Sequence, residues 1–448
     1  MKRRDFLQSA ATLAAVPFIG RAGRGISVAG RASPRIGPLR VDGARLNGWL
    51  ARFDSIGRTE GGINRVAYSE GDLAGRAFTL DLFREAGLAP RIDAAGNIVG
   101  RLAGSDPSLP VILIGSHVDS VTDGGNYDGP VGSFSAIEVT RTLQEQRVRL
   151  RHPLEVVVWQ NEEGGTWGSH LITAAATPAE LANVARSGKS IRDGVAYLGG
   201  NPDQLSRSRR MTGDVHGYLE LHIEQGGHLD REKLDIGIVE GIVGLREWDV
   251  TVEGFANHAG TTPMNERRDA MLAAARFVEA VNRIVLAEPG RQVGTVGRIQ
   301  AFPGAPNVVP GRVTCTLELR DLDDAKIQRL YDAIRAEADR IGGRNGTSFA
   351  FHEFVSHESA RCDPRVRQLI AASASELGFK TMSLPSGAGH DAQNLARICP
   401  MGMIFIPSVG GISHAPTEFS RPQDITNGAN VLLGALRKLD ATPLGTSG

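Results

Sequence analysis

Val156-Val157-Val158-Trp159-Gln160-Asn161-Glu162-Glu163-Gly164-Gly165 reads as a buried β-strand that runs straight into two adjacent carboxylates and a turn. A continuous apolar run needs cover on both of its faces, which is the condition of an interior strand in a layered α/β sheet. The neighbouring segments agree with that reading. Asn97 to Leu102 and Val111 to Gly115 read as strands, Gly132 to Gln146 as a helix, and Leu154 to Gln160 as the strand that follows. A helical pattern from about Asn47 to Gly87, broken by the loop Ser55 to Asn64, precedes them. Helix Pro364 to Gly378 and strand Met401 to Ile406 resume the same texture later. The fold expected is α/β, with a mostly parallel central sheet flanked by helices.

Between these two stretches the texture changes. Glu247 to Glu253 alternates as a half-exposed strand does, Asp269 to Leu286 is an amphipathic helix, and Thr295 to Gln300 and Val313 to Leu319 read as strands. A second helix from Asp324 to Gly342 and a strand from Thr347 to Phe354 complete an α+β unit of ferredoxin-like order. A smaller domain inserted into a larger one is the simplest account. Residues 36–244 and 356–440 then form the catalytic domain, 245–355 the insertion, and 441–448 a tail.

The chain of 448 residues carries 50 basic and 50 acidic side chains, so no overall field draws it to nucleic acid or to an anionic membrane. Cys315, Cys362 and Cys399 lie far apart without a CxxC pair, which excludes a thiolate metal site and a disulfide framework. At the N-terminus, Arg3-Arg4 precedes the apolar run Ser9 to Gly20, the layout of a twin-arginine export signal over residues 1–35. An amphipathic N-terminal helix is the competing reading. The expected location is periplasmic or otherwise exported, with no membrane-spanning segment in the mature chain.

Candidate chemistry gathers after the strands. Ile112-Leu113-Ile114-Gly115-Ser116-His117-Val118-Asp119 leaves a buried strand with an imidazole and a carboxylate two residues apart, hence on one side of extended backbone. Asp128 follows in a glycine-rich turn, Glu162 and Glu163 follow the next strand, His222 lies in Leu219 to Gly226, and His414 lies in the loop Gly410 to Glu418. Each is weak alone. Together they put three histidines and several carboxylates on loops of one sheet, enough nitrogen and oxygen for a dinuclear zinc-type site.

The segments GSHVDSVTDGGNYDGPVG, NEEGG, LELHIEQG, NHAGTTPM, PNVVPGRVTCTLELRD, SGAGHDA and GISHAPTE resemble, in order, the carbamoylase branch of the aminoacylase/carboxypeptidase-type dinuclear metallohydrolases. That branch contains N-carbamoyl-L-amino acid hydrolases, β-ureidopropionases and allantoate amidohydrolases. The resemblance implies two divalent ions per subunit, zinc first and manganese, cobalt or nickel compatible. It also implies an inserted lid that serves as a homodimer surface, and a small ureido or N-carbamoyl amino acid substrate.

Carried over by motif, His117, Asp128 and His222 would hold one ion and Asp128, Glu163 and His414 the other, with Asp128 bridging. Glu162 would be the general base, Asp119 the carboxylate supporting His117, and His258 the lid donor to a developing oxyanion. Gln225, Asn307 and Arg320 would bind substrate, with Gly387 and Gly389 offering backbone N–H groups and His390 a further contact. For Arg320 the competing reading is a surface ion pair with Asp321. An aminoacylase or dipeptidase acting on N-acyl amino acids or dipeptides, and a non-catalytic binding protein of the same fold, are the alternative functions. One departure bears on specificity. The family arginine and phenylalanine after the double glutamate are Thr166 and Trp167 here, and Thr173-Ala174 stands where a Gly-Ser pair is usual.

Overall fold

The computed structural model describes residues 39–444. The export signal expected at residues 1–35 and the last four residues of the tail lie outside them. Strand Leu154–Trp159 is buried at every position and sits inside a nine-stranded sheet. It pairs parallel with Val111–His117 on one side and antiparallel with Ile98–Leu102 on the other. The next strand across, Val215–Ile223, runs parallel to Val111–His117, and Met401–Ile406 runs parallel to Val215–Ile223. Four adjacent interior strands therefore end at one edge of the sheet, where open α/β sheets place their ligands. The outer strands Pro90–Ile92, Ile236–Ile242 and Ala360–Arg361 add antiparallel flanks. Thr381–Ser386 pairs parallel with Ile236–Ile242.

The alternation of polar and apolar residues in Val215–Ile223 does not mark an exposed face, because all nine residues are buried. Its polar face is covered by other polar side chains: Glu220 accepts hydrogen bonds from Ser116 Oγ at 2.9 Å and Tyr218 OH at 3.0 Å. Buried polar groups persist when partnered in this way. Helix Pro130–Glu145 packs on the sheet, begins with Pro130 at its first turn and has all but three of its residues buried. Helix Pro422–Ala441, absent from the sequence reading, lies against the same sheet and against helix Pro364–Glu376. Cys315, Cys362 and Cys399 are buried and unbridged.

A second, five-stranded antiparallel sheet is built on Gly244–Glu253, flanked by Arg312–Asp321 and Ser348–His357. The strand expected over Thr295 to Gln300 is two short strands, Val293–Thr295 and Ile299–Phe302, both paired with Arg312–Asp321. Helices Ala270–Ala287 and Asp324–Asn345 cover one face, and Trp248, Val250, Phe277, Leu317 and Ile334 form a core of their own between the layers. Arg312–Asp321 alternates between buried and partly exposed residues, the pattern of a sheet covered on one side only. Among the described residues, no helix is long and apolar enough to cross a membrane.

Candidate metal centre

His117 ends its strand and is 1% exposed. Its Nδ1 faces the backbone carbonyl of Asp119 at 3.1 Å, which turns Nε2 toward the sheet edge. The carboxylate of Asp119 lies 3.5 Å from the same Nδ1, but its hydrogen bonds go elsewhere. Oδ1 accepts the N–H of Glu162 at 3.3 Å and Oδ2 the N–H of Glu163 at 3.1 Å. One carboxylate thus fixes the start of both glutamates where the neighbouring strand ends.

Asp128 is 5% exposed and stands at the centre. Its Oδ1 lies 3.1 Å from His222 Nε2 and 3.8 Å from His117 Nε2, and its Oδ2 lies 3.2 Å from His414 Nε2. His414 Nε2 is also 3.4 Å from Glu163 Oε2. Among the described residues three donor groups follow: His117 with Asp128 and His222, and Asp128 with Glu163 and His414, which share Asp128, and Glu220 with His222 and His390 behind them. Nε2 of His117, Nε2 of His222 and Oε1 of Glu163 are buried without a hydrogen-bond partner. Orphaned imidazole nitrogens and a carboxylate oxygen converging at bonding range of one another fit divalent cations held by nitrogen and oxygen.

The charged groups of the centre act strongly on one another. Burial lowers the proton affinity of His117, but Glu162 and Asp119 outweigh it and raise its pKa well above the ordinary value. Burial likewise opposes ionisation of Asp128, yet the imidazoles of His222 and His414 against its two oxygens hold it well below the carboxylate range. Glu163 is pushed up to about 7 by burial and by the charge of Asp128. His414 rises to about 9 through its hydrogen bond with Asp128. The shifts of His117, Asp128 and His414 come from imidazole and carboxylate held against each other, and that of Glu163 from burial and a like charge.

Glu162 is 8% exposed, with Oε2 3.7 Å from His117 Nε2. Burial raises its pKa well above the usual range against the pull of His117, with the charge of Glu163 adding to the rise. His390 lies deeper than a surface contact would: its ring centroid is 4.4 Å from that of His222 and its Nδ1 is 4.0 Å from Glu162 Oε1. Burial, then the proximity of His222, keep it well below the ordinary histidine value, so its ring stays neutral beside the centre. Gln225 sits among the ligands, donating Nε2–H to Asp128 Oδ2 at 2.7 Å. Asn161, Gln225 and His414 all have positive φ. Non-glycine residues in that region collect at functional sites, where the surroundings hold them against the strain.

Of the remaining candidates, Arg320 belongs to the second sheet, His258 and Asn307 to a separate two-stranded ladder and the turn before it, and Gly387 and Gly389 to the loop that meets Arg320. His258 pairs with Val308 in a short exposed ladder, and its Nδ1 accepts the N–H groups of Gly260 at 3.1 Å and Thr261 at 3.2 Å. An imidazole accepting at Nδ1 carries its proton on Nε2. Asn307 meets the same loop through its carbonyl, which accepts the N–H of Ala259. Arg320 does not pair with Asp321, which instead holds Lys326 at 2.9 Å. Its fork grips Glu318 at 2.8 and 3.2 Å, and its Nη1 donates to Gly387 O at 2.7 Å. A Cβ added at Gly387 would meet nothing within 4 Å, and one at Gly389 only Gln393 Oε1 at 3.7 Å, so both backbones are open to approach.

Sequence reasoning missed Glu418 as a site residue. It is buried, and it accepts N–H groups from Tyr127 and Asp128 with one oxygen and bonds from Ser413 and His414 with the other. Its position at the end of GISHAPTE was the available signal. Glu220 and Asp391 were missed too. Both are fully buried behind His222 and His390, and burial raises both pKa values.

Imidazoles and carboxylates converging at the carboxyl edge of a parallel sheet, with a further buried glutamate beside them, are the arrangement of a metal-dependent hydrolase. The profile of peptidase family M20/M25/M40 matches residues 113–438, and the chain belongs to that family. The N-carbamoyl-L-amino acid amidohydrolase of Geobacillus stearothermophilus is 38% identical over 398 residues, 88% of this chain and 97% of that protein. The ureidoglycolate hydrolase of Arabidopsis thaliana is 35% identical over 415 residues, 90% of this chain and 87% of its own length. The crystal structure of a hydantoinase/carbamoylase-family amidase from Burkholderia multivorans matches at TM-score 0.82 and 36% identity, over 91% of this chain and 100% of that one.

Proposed function

We propose that this chain hydrolyses the C–N bond of an N-carbamoyl-L-amino acid or a related ureido acid such as β-ureidopropionate or allantoate. A carbamoyl substrate would yield amino acid, carbon dioxide and ammonia. The observation that carries this reading is the complete donor set around Asp128, with Glu162 beside it, in a chain 38% identical to a carbamoyl-amino acid amidohydrolase over most of both lengths. His117, Asp128 and His222 would hold one divalent ion and Asp128, Glu163 and His414 a second, with zinc the first choice for this nitrogen and oxygen set. Bound there, the ions supply Lewis acidity toward water and toward the scissile carbonyl.

The chain's own groups do the rest. Glu162 takes a proton from the attacking water at a carboxylate oxygen and returns it to the departing nitrogen. Its raised proton affinity suits both halves of that transfer. His258, with its proton on Nε2, is suited to donate to the oxyanion. Asn307 immediately precedes the short strand that pairs with His258, whereas Arg320 lies on the five-stranded sheet and carries a planar fork, held by Glu318, of the kind that binds a carboxylate. We assign that sheet the role of lid and homodimer surface, supported by the exposed apolar side chains Leu272, Val278, Leu286 and Ile299. Light scattering on the purified chain tests the dimer, and a monomeric mass would remove it. Export rests on Arg3-Arg4 ahead of an apolar run. Fractionation of cells carrying the wild-type chain or Arg3-Arg4→Lys-Lys tests it, and an unchanged cytoplasmic location in both would refute it.

The deciding experiment measures ammonia and amine release from a panel of N-carbamoyl amino acids, ureido acids, N-acyl amino acids and dipeptides by enzyme loaded with zinc, manganese or cobalt. Ammonia from the ureido compounds is the expected result. Amine release from N-acyl amino acids without ammonia would make the chain an aminoacylase instead. Glu162→Gln should keep its metal and lose turnover by about a thousandfold or more, toward the upper part of the usual range for a general acid–base group because one group serves both transfers. Activity close to wild type would take Glu162 out of that role.

A further inference from the structure

A cavity of about 500 Å³ opens on the flank of the large sheet, away from the metal centre. Neither the five expected metal ligands nor Glu162 lines it. Its floor is apolar, with Val99, Leu113 and Val157 contributed by three neighbouring strands. Its walls carry five arginines: Arg91, Arg101, Arg207, Arg209 and Arg210.

Asp93, Glu155 and Asp214 share the cavity, and each is already engaged. Glu155 is 2% exposed and accepts Arg101 Nη1 at 3.0 Å and Arg210 Nη2 at 2.7 Å. Asp93 accepts the backbone and side-chain N–H groups of Asn97 at 2.8 and 3.2 Å. Asp214 accepts the N–H of Met211 at 2.7 Å. Five guanidinium groups against three carboxylates leave an excess of two positive charges even if every acid is ionised. Among the described residues, the guanidinium of Arg207 donates only to the neutral side-chain amide of Gln204, and the buried Nε of Arg209 has no partner. Glu155 therefore pins Arg101 and Arg210 to the wall, while Arg207 and Arg209 keep donors to spare.

We propose that this cavity is a binding site, separate from the metal centre, for a small oxyanion carrying two negative charges. Guanidinium forks approaching from separate segments match the oxygens of a phosphoryl group or of a short dicarboxylate, and the low-dielectric floor strengthens each contact. The surplus of two charges sets the preferred ligand charge. This assignment does not depend on the substrate proposed above.

The test is calorimetric titration of the metal-loaded full chain with inorganic phosphate and, separately, with succinate, in wild type and in R207A/R209A. Neither substituted residue pairs with Glu155, so the buried ion pair stays intact. We expect one site per chain for at least one probe, at least tenfold weaker in the double variant and weakening as salt is added. Binding of one probe and not the other supports the site and selects its ligand class. No binding of either probe would overturn the proposal. So would equal binding in both proteins, or binding that persists in the double variant and disappears when a chelator removes the metal, since the anion would then sit at the metal centre. If the double variant fails to fold, R207A alone carries the same comparison.

Discussion

Glu418 Oε1 accepts the backbone N–H of Asp128 at 3.0 Å, and through this contact one buried carboxylate joins two loops that carry expected metal ligands. Its other oxygen takes the hydroxyl of Ser413 at 2.9 Å and the N–H of His414 at 3.3 Å. Ser413 Oγ also lies 3.0 Å from Asp128 Oδ2, so its single proton stands between the two carboxylates. Glu418→Ala should strand these donors and free both loops, lowering metal affinity about 10- to 100-fold, the usual cost of losing a partner that orients ligands. Glu418→Gln retains one acceptor oxygen and should fall between. Metal content after dialysis against graded chelator reads the effect directly. Full metal retention in Glu418→Ala would show that the loops hold their shape without it.

Asp119 governs the opposite side of the centre. Both of its oxygens accept backbone N–H groups, those of Glu162 and Glu163. Asp119→Asn replaces one acceptor by an NH₂ that faces an N–H, so one glutamate must turn away. The expected result is a fall in kcat of about 10- to 100-fold with the fold retained. KM should change little, because the residue touches no proposed substrate contact. An unchanged kcat would mean that the strand end is set by the sheet alone.

The strand Leu154–Trp159 and the donors after it were legible because the apolar run and the polar residues that follow are contiguous in the chain. The roles of the supporting groups were not. Glu418 and Asp128 lie 290 positions apart, and no local period reports such a pairing. The burial of His390 depends on His222 and Phe405 from two other strands packing around it. The partner of Arg320 was within reach. Residues two apart on a strand share a face, so Glu318 was the natural neighbour and Asp321 points the other way. Thr166 and Trp167, read as departures in a pocket wall, open the short helix Trp167–Thr173, and Asn394 Nδ2 donates to Thr166 Oγ1 at 2.9 Å. That contact also crosses between distant segments.

Stability should carry a pH dependence from Asp72, which is outside the set of expected metal ligands. This residue is 3% exposed, accepts the N–H of Tyr68 at 2.8 Å, and has its pKa raised by burial, against Arg76, from 3.8 to about 7. Between those values the folded protein holds a proton that the unfolded chain has released. Its contribution to stability is therefore complete below about pH 4 and is lost as pH rises through 7. Asp72→Asn keeps an acceptor for Tyr68 but does not titrate. The stability of wild type relative to the variant should then decline from pH 5 to pH 8 by about 2–3 kcal/mol, out of the roughly 4 kcal/mol that the whole shift carries. Urea unfolding at several pH values measures it, and parallel profiles for the two proteins would contradict the assignment.

Gly129 and Gly188 separate backbone strain from contact with the metal centre. Both have φ of +84°, a conformation in which any L side chain is strained. A Cβ at Gly129 would lie 2.5 Å from Cε1 and Nδ1 of His117, whereas one at Gly188 would meet nothing within 4 Å. Each alanine substitution should cost about 1–3 kcal/mol of stability from the backbone term. Only Gly129→Ala should also push the His117 ring out of line with Asp128 and His222, weakening metal binding by tenfold or more. Paired chelator competition and thermal unfolding on the two variants give the comparison. Equal metal affinities would show that the loop before helix Pro130–Glu145 can shift to make room, and that the close approach of Gly129 to His117 is not what holds the imidazole in place.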